Sequence, residues 1–516
     1  MPICALTHLW RHRMRLNLSR VHCTLFVFLA LATLCAQTAL AGPLDRQTER
    51  LITSTNLGGG TAAVYIADLD TGEELASYES DEALIPASTM KLLTTGTALH
   101  VLGADFVFKT KLILDESVDP PLLIIEGDGD PALGDPAIFE GEQPGVEMGM
   151  LLDQIAETLR GAGVESISGI VVDDRVFDRN YTHPAWPEDQ LNRWYCAQIG
   201  GLNFHTNVIN VYTQPAQSGT PLVRMQPDAY WVQLNVKAKS NRKSRDTAWV
   251  SRPTKANIFT VHGNVSAKSE IPAAVDTPPL FAGRVLATAL EERGITVGDG
   301  TQSTIDAVRL VEPGESLETS RTLAIITTPL DEVLRRINTN SHNMYAESLL
   351  KRIGNEVTSD PGSWENGSAV IRMVMSERIG AAAAESTIIS DGSGMSRENR
   401  VTPKTFVSWM RSLARSDDWD TFVASMATPG SGTLKKRFGD EISSELHAKS
   451  GYLTGTYGLA GVLEHPRTRQ RVVFSIMLND VRAGSTALNA KPLIDDIVDE
   501  IDDFLNERAG VPAMGG

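Results

Sequence analysis

The spacing of hydrophobic and polar positions changes several times along the chain. Strand-like runs over Thr61–Ser80 are interrupted by Asp70–Gly72, whose turn-forming residues predict a β-hairpin. Apolar residues then recur at helical spacing, which predicts a helix over Pro86–Leu102. Near the C-terminus, apolar runs on both sides of Glu464–Arg467 predict paired strands, and an amphipathic acidic helix follows at Ile494–Leu505.

The middle of the chain has a different pattern of predicted secondary structure. Between residues 106 and 276, short β-rich runs such as Leu122–Ile125 and Gly169–Val172 are separated by Gly, Pro and Asp turns. Helical patterns return afterwards, at Pro279–Arg293, Leu330–Ile337 and Asn343–Ile353. We therefore predict an α+β fold in which residues 42–105 and 277–516 form one domain, an antiparallel sheet covered by helices. Residues 106–276 are then a β-rich insertion in that domain.

The first 41 residues have the layout of a secretory signal peptide. A basic segment precedes the apolar run Thr24–Leu34, and small residues at Ala39–Ala41 form a cleavage point. The apolar run is shorter than the roughly 20 residues that span a bilayer, which disfavours an uncleaved anchor. We expect cleavage near Ala41 and a soluble protein of the periplasm or cell envelope with at most peripheral membrane contact. The true start is Met1 or Met14.

Composition narrows the class of protein. The 516 residues are 42% hydrophobic and 22% charged, which is typical of a globular protein and excludes disordered, collagen-like and polytopic membrane chains. The formal net charge of −17 argues against general nucleic-acid binding. Of the 4 cysteines only Cys196 follows the predicted cleavage site, so we expect neither an intramolecular disulfide nor a Cys-based metal site.

Candidate chemistry begins at the start of the first predicted helix. Ser88 and Lys91 are three residues apart there and share a face. A serine needs an adjacent base to become a nucleophile, and a lysine amine whose pKa has been lowered by burial can supply one. The pattern alone is weak, because Ser240–Lys243 repeats it in a polar basic loop with no apolar helix behind it.

Two further short patterns lie in the second half of the chain. Ser341–Asn343 begins a helical stretch, where a hydroxyl can relay protons and an amide can hold a substrate carbonyl or amide. Lys449–Gly451 precedes the late strands, and a cation with a hydroxyl suits a carboxylate while glycine permits close approach. Each is weak singly: Ser54–Asn56 copies the first, and an edge-strand lysine can simply block aggregation.

Together, the ordered patterns Ser-x-x-Lys, Ser-x-Asn and Lys-Thr/Ser-Gly are the motif set of penicillin-binding proteins and related β-lactamases. The chain resembles the peptidase S13 family, the penicillin-binding-protein 4 type of D-alanyl-D-alanine carboxypeptidase/endopeptidase, from about Thr61 to Asp480. Besides the three motifs, the similar stretches are Gly127–Pro131, Asn338–Gly354, Asp391–Arg397, Asn399–Pro403, Gly430–Leu434 and His447–Gly451. The 253 residues from Ser88 to Ser341 exceed the spacing in a compact β-lactamase, and the resemblance implies two inserted domains there. Ser450 replaces the more common threonine, and both carry a hydroxyl.

The resemblance implies a penicillin-binding domain and a role for each motif residue. Ser88 is expected to be the nucleophile, Lys91 its base and Ser341 a proton relay to the leaving group. The expected substrate-binding residues are Asn343, Lys449, Ser450, Gly451 and Tyr452, the last providing an oxyanion-hole N–H together with that of Ser88. The implied partners are peptidoglycan stem peptides and β-lactam inhibitors, with no metal or organic cofactor.

Two alternatives stay open at this point. A β-lactamase or serine esterase could use the same fold and the same motifs. An envelope binding or scaffolding module with an inactive site is a second alternative, which three intact motifs disfavour. The balance between carboxypeptidase and endopeptidase activity, and the oligomeric state, are not encoded in any of these patterns.

Overall fold

The structure is a computed structural model that describes residues 42–138, 148–317, 321–439, 442–484 and 486–510. The predicted signal peptide lies outside these ranges. Within them, every helix is too short or too polar to cross a bilayer. The helices are α1 (Pro43–Ser54), α2 (Lys91–Leu102), α3 (Met148–Gly161), α4 (Pro278–Glu292), α5 (Leu330–Asn338), α6 (Asn343–Thr358), α7 (Trp364–Ile379), α8 (Ala381–Glu385), α9 (Pro403–Leu413), α10 (Trp419–Ala424) and α11 (Ala487–Arg508).

An antiparallel five-stranded sheet joins the two ends of the chain. It is built from β1 (Thr61–Asp68), β2 (Glu74–Tyr78), β18 (Glu445–Leu453), β19 (Thr456–Glu464) and β20 (Arg471–Asn479), in the order β18-β19-β20-β1-β2. The hairpin predicted at Thr61–Ser80 is confirmed as β1 and β2, and the late paired strands as β19 and β20. β1 pairs with β20 along its whole length, and this pairing brings the early and late segments into one sheet.

Both faces of this sheet are covered by helices. Along β20, Val473 and Met477 belong to the apolar core that also contains residues of α2, α6 and α9. Their alternating neighbours Phe474 and Ile476 belong to a second core, with residues of α11 on the opposite face. Strand residues point to opposite faces in turn, so continuous apolar runs are expected for strands buried on both sides. The predicted class, an antiparallel sheet covered by helices, is therefore confirmed.

The insertion contains a second five-stranded sheet and smaller β units. The large sheet has the order β16-β6-β4-β3-β17, formed by β3 (Val107–Asp115), β4 (Leu122–Glu126), β6 (Gly169–Asp173), β16 (Val308–Leu310) and β17 (Arg321–Pro329). The smaller sheets comprise β5 (Ser166–Ile167) with β15 (Thr296–Val297); β7 (Val208–Gln214), β8 (Leu222–Gln226) and β14 (Ser269–Ala274); β9 (Gln233–Val236), β11 (Trp249–Ser251) and β12 (Ile258–His262); and β10 (Lys239–Ser240) with β13 (Asn264–Val265).

The far boundary of the insertion lies later than we predicted. β17 pairs with β3 over residues 321–329, and α4 packs in the same apolar core as the insertion strands. The predicted boundary at residue 277 cuts through this unit, because the helix signal at Pro279 looked like a return to the first domain. Sheet topology instead assigns residues 107–329 to the insertion, and α5 begins directly after β17.

Helix α2 is enclosed so tightly that a glycine is required in its middle. A Cβ at Gly96 would lie 2.7 Å from Leu413 Cδ1 and 2.8 Å from Trp409 Nε1. The Trp409 ring cannot easily move, because its Nε1 donates a hydrogen bond to the Leu92 carbonyl at 2.9 Å. Close packing of α2 against α9 therefore outweighs the usual preference for alanine in a helix.

We predict that Gly96→Ala destabilises the protein by about 1–3 kcal/mol, because overpacking forces the surrounding side chains to shift. The matched control is Gly161→Ala at the exposed end of α3, where a Cβ meets no atom within 4 Å among the described residues. That control should be neutral or stabilising by up to about 1 kcal/mol. Chemical unfolding of both variants tests the prediction, and equal effects would contradict it.

Candidate active site

Ser88 and Lys91 lie where a short 3₁₀ turn runs into a helix. The turn covers Ala87–Met90 and α2 begins at Lys91, so the two side chains project from consecutive turns of backbone. Lys91 Nζ lies 3.0 Å from Ser88 Oγ. Lys91 is fully buried, whereas Ser88 is partly exposed to the cleft. The predicted nucleophile and base are therefore within direct proton-transfer distance.

The Lys91 amine is surrounded by neutral acceptors. Besides Ser88, it donates to Asn343 Oδ1 at 2.8 Å and to the Ser393 carbonyl at 2.7 Å. Burial lowers the pKa of Lys91 from 10.5 to about 7, and the negative charges of Glu347 and Asp391 only partly oppose that shift. A lysine with this pKa is available as a neutral base near physiological pH.

A second lysine–serine pair faces the same place. Lys449 Nζ, on β18, donates to Ser341 Oγ at 2.9 Å and to the Ser450 carbonyl at 2.8 Å. Burial, with the positive charge of Lys91 as the next cause, holds the Lys449 pKa well below its usual value. Ser341 itself has φ of 63°, a left-handed conformation that is uncommon for a serine and typical of functional sites.

The remaining predicted residues border the Ser88 turn. A Cβ at Gly451 would lie 2.7 Å from the Pro86 carbonyl and 3.3 Å from the Ser88 nitrogen, so only glycine lets β18 run this close to the turn. The Tyr452 side chain is 60% exposed, and its ring meets that of Tyr457 edge to face. Tyr452 thus presents a ring at the rim rather than inside the cleft.

The structure brings the three motifs to one place. Ser88, Lys91 and Asn343 form one hydrogen-bonded group, and Ser341 with Lys449 forms a second beside it. For Ser450, the contact with Lys449 comes from its backbone carbonyl. The copies of these motifs lie elsewhere: Ser240 is in the insertion on β10, where its hydroxyl accepts from the Ala216 N–H at 3.0 Å.

Sequence reasoning missed the acidic residues behind Lys91. Glu347 is fully buried and accepts hydrogen bonds from the Ser393 N–H at 2.7 Å, the Gly392 N–H at 3.0 Å and Trp364 Nε1 at 2.8 Å. These bonds fix the loop whose Ser393 carbonyl receives the Lys91 amine. Burial and the negative charge of Asp391 raise the pKa of Glu347 above its usual range.

Asp391 organises the other side of the same loop. Its carboxylate accepts from the Gly394 N–H at 2.8 Å, the Ser396 N–H at 2.6 Å and Trp186 Nε1 at 3.0 Å. Gly394 has φ of 81°, and a Cβ there would collide with the Ala87 carbonyl beside Ser88. Asp391 thereby holds the loop tightly against the turn that carries Ser88. The stretch Asp391–Arg397 was noted in the sequence without a role.

One signal could have revealed Glu347. It follows Asn343 by four residues on a predicted helix, so both lie on the same face. An acidic residue on the apolar side of a helix is rarely buried without partners, and that marks it for a functional or structural network. Nothing in the Gly- and Ser-rich loop indicates in advance that Asp391 turns inward.

Cys196 and the two aspartates of the Gly127–Pro131 stretch have structural surroundings. Cys196 is fully buried, and burial raises the pKa of its thiol to about 12, so it stays protonated. Asp128 pairs with Arg352 at 3.0 Å, and Asp130 accepts from Thr328 at 2.7 Å and from the Ala132 N–H. Asp128 thus connects the insertion to α6, and Asp130 bonds to β17 within the insertion.

Comparison with known sequences identifies the family. Residues 44–501 match the D-Ala-D-Ala carboxypeptidase 3 (S13) family, and the chain belongs to it, which places it among the peptidases. A D-alanyl-D-alanine carboxypeptidase of Actinomadura sp. (strain R39) is 31% identical over 462 residues, covering 84% of this chain and 81% of the relative. The corresponding protein of Haemophilus influenzae is 23% identical and covers 87% of this chain and 90% of the relative. The predicted family resemblance is confirmed.

Solved structures confirm the fold. Penicillin binding protein 4 from Haemophilus influenzae superposes with a TM-score of 0.70 at 21% sequence identity, covering 89% of this chain and 98% of that one. A predatory endopeptidase from Bdellovibrio bacteriovorus, solved with an immunity protein, gives a TM-score of 0.50 at 14% identity over 86% of this chain and 94% of that one. The α+β fold of this chain is therefore shared with these proteins.

The acidic support behind Lys91 yields a stability prediction. Glu347→Ala leaves three buried N–H donors without an acceptor, so we expect it to destabilise the protein by at least about 3 kcal/mol. Glu347→Gln keeps one acceptor oxygen and should lose less. The control is Glu356→Ala on the same helix: the Glu356 side chain is 47% exposed and its partner Arg352 keeps Asp128 as a second acceptor, so we expect a loss below about 1 kcal/mol. Urea unfolding measures the free energy of unfolding of the three variants. Equal losses of stability in Glu347→Ala and Glu356→Ala would contradict the prediction.

Proposed function

We propose that this family member is a serine peptidase that cleaves the D-Ala-D-Ala bond of peptidoglycan stem peptides through an acyl-enzyme on Ser88. The observation that carries the proposal is the 3.0 Å contact between Ser88 Oγ and a buried Lys91 amine. The depressed pKa of Lys91 and its neutral hydrogen-bond acceptors support its role as the base. The Actinomadura and Haemophilus relatives carry the same activity in their names.

Acylation starts with proton transfer inside the first group. Neutral Lys91 takes the Ser88 proton while Oγ attacks the carbonyl carbon between the two D-alanines, giving a tetrahedral oxyanion. Backbone N–H groups of Ser88 and Tyr452 stabilise that oxyanion in this proposal. The closeness of Gly451 to the Ser88 backbone supports it, because it brings β18 beside the attacked carbonyl.

Collapse of the intermediate needs a proton on the leaving amine. The C–N bond breaks as the proton held by Lys91 passes through Ser341 to the departing D-alanine, and Lys91 becomes neutral again. Asn343, already bonded to Lys91, orients the substrate amide. Lys449 and Ser450 receive the terminal carboxylate, and the arriving negative charge favours the charged form of the buried Lys449 amine.

Deacylation completes the cycle. Water attacks the ester carbonyl and gives one proton to Lys91. As the ester C–O bond breaks, Lys91 returns that proton to Ser88 Oγ, which releases the shortened peptide and restores the neutral Lys91 and the Ser88 hydroxyl. A β-lactam acylates Ser88 in the same way and leaves slowly; a solved structure of the Haemophilus protein with a bound β-lactam supports this part. Stem peptides lie outside the cytoplasm, so the proposal includes export by the predicted signal peptide.

The same geometry serves two neighbouring reactions. Endopeptidase activity cleaves an equivalent bond in a cross-link, and the Bdellovibrio endopeptidase of this fold makes it part of the proposal. A β-lactamase or serine esterase remains the alternative. Mass spectrometry of muropeptides separates loss of one alanine from opened cross-links, and rapid turnover of acylated penicillin would favour the β-lactamase.

One prediction of the proposed mechanism concerns the nucleophile and its base. Ser88→Ala should abolish labelling by a fluorescent penicillin and release of D-alanine from a stem pentapeptide. Lys91→Met should reduce both rates about 10²–10⁴-fold, as expected for loss of a general base. Ser240→Ala and Lys243→Met remove the second Ser-x-x-Lys pattern and should leave labelling at the wild-type level. Peptide mapping locates the label, and acylation retained in Ser88→Ala would overturn the proposal.

A further prediction of the proposed mechanism is the pH dependence of acylation. Lys91 reacts only when neutral, so the second-order rate of penicillin acylation should rise about tenfold per pH unit below its pKa. The rate should reach a plateau above a midpoint of about 7. A stopped-flow pH series from 5 to 9 measures it.

Glu347 also titrates above its usual range, so a variant must separate the two groups. The negative charge of Glu347 raises the Lys91 pKa, and Glu347→Gln should therefore move the midpoint to lower pH. A profile that is flat from pH 5 to 9, or a midpoint that moves upward in Glu347→Gln, would contradict Lys91 as the base.

A further inference from the structure

A large cavity lies next to the second motif, on the side of the insertion. It has a volume of about 800 Å³ and is walled by the insertion strands β7, β8 and β14 and by the segment before α6. Asn340 and His342 line it, and they flank Ser341 on both sides. The cavity therefore begins one residue away from the proposed proton relay.

The cavity is also connected to Asn343 through its aromatic wall. Trp194 lines the cavity, is 39% exposed, and lies against the His342 ring at 5.6 Å. The next residue, Tyr195, offers its carbonyl to Asn343 Nδ2 at 2.9 Å. A ligand held on Trp194 thus lies beside the backbone that positions Asn343.

The charges around the cavity cancel among the described residues that line it. Arg336 pairs with Asp135 at 3.0 Å, and Tyr212 stands between Glu270 and Arg224, whose guanidinium lies 4.2 Å from the ring centre. Two cations and two anions leave no net charge to attract an ionic ligand. This balance disfavours the carboxylate-bearing stem peptide as the occupant.

The uncharged groups that line the cavity suit a neutral ligand with one apolar face and many hydroxyls. Trp194 and Tyr212 provide flat rings, while Asn210, Gln226 and Asn340 provide amides that both donate and accept. A sugar ring presents C–H groups to an aromatic face and hydroxyls around its edge. An N-acetylated amino sugar adds one amide and, with the muramyl carboxyl consumed in the bond to its peptide, carries no charge.

Two buried histidines beside the cavity each have one ring nitrogen without a hydrogen-bond partner among the described residues. His205 is fully buried and its Nδ1 lies 3.1 Å from the Val208 carbonyl, so this nitrogen carries the proton. Its Nε2 is then a bare acceptor with no donor among the described residues, and Nδ1 of His342 is likewise unpartnered. Both nitrogens are enclosed by protein rather than exposed in the cavity, so the case for a ligand rests on the exposed rings and amides that line it.

We infer that this cavity is a binding site for the glycan part of the substrate, an N-acetylated amino sugar seated against Trp194. The inference rests on the proposed function, which places the scissile peptide at Ser88. Each residue of an extended stem peptide spans at most about 3.6 Å, so a sugar a few residues from the scissile bond can reach a cavity that starts beside Ser341. The enzyme would then bind the glycan and the peptide of one substrate molecule at the same time.

Binding of a peptide-free sugar tests the site without relying on catalysis. The probe is a neutral N-acetylglucosamine tetrasaccharide, titrated calorimetrically into the full chain carrying Ser88→Ala. We expect saturable binding that Trp194→Ala weakens at least tenfold. Trp249→Ala is the matched control, because Trp249 is 43% exposed and also stacks on a histidine, His262, at 4.3 Å. It should bind within twofold of its parent.

Circular dichroism checks that each variant is folded. If Trp194→Ala fails that check, Arg224→Ala on an exposed strand position replaces it, with at least a threefold loss expected. No binding to the parent, or equal binding by the Trp194 and Trp249 variants, overturns the inference. Displacement of the sugar by a sugar-free stem peptide also overturns it and assigns the cavity to peptide. Penicillin labelling of the wild type is scored separately, so a failed sugar site and a failed serine peptidase give different results.

Discussion

One buried amine determines how the rest of this site is built. Lys91 is enclosed by Ser88 Oγ, Asn343 Oδ1 and the Ser393 carbonyl, all of them neutral acceptors. A buried lysine in contact with a carboxylate would stay charged and could not take a proton. The nearest acids, Glu347 and Asp391, do not contact the amine. It is therefore stabilised by hydrogen bonds to neutral acceptors while its pKa stays at about 7.

The fold is arranged to maintain that environment. Glu347 and Asp391 hold the loop of Gly392–Ser396 by its backbone N–H groups, and the loop in turn presents a carbonyl to Lys91. Helix α2 is enclosed on almost every side, and this fixes the amine at its first residue. The sheet supplies Lys449 from the opposite wall. Lys91 on α2 lies before the insertion, while Asn343 on α6 and Lys449 on β18 lie after it. The site therefore forms only when these two parts of the chain pack together.

Much of this could be predicted from local patterns. The hairpin, the late strands and the helix after Ser88 have strong periodicity, and the three motifs indicate the residues that meet at the site. The end of the insertion could not be placed, because α4 has the same helical signal whichever domain it packs in. β17 reveals its place only through its pairing with β3. The role of Asp391 depends on loop packing that no short pattern encodes, whereas the four-residue spacing between Asn343 and Glu347 was a signal that could have been used.

The central claim is that Lys91 is neutral near physiological pH in the resting site. Its most direct test is an NMR titration of protein labelled with ¹³C at the lysine ε carbon, with the Lys91→Met variant used to assign the resonance. The account predicts one ε-carbon signal that titrates with a midpoint of about 7 and is missing from the variant. A Lys91 signal that stays in its charged position up to pH 9 or above would contradict it.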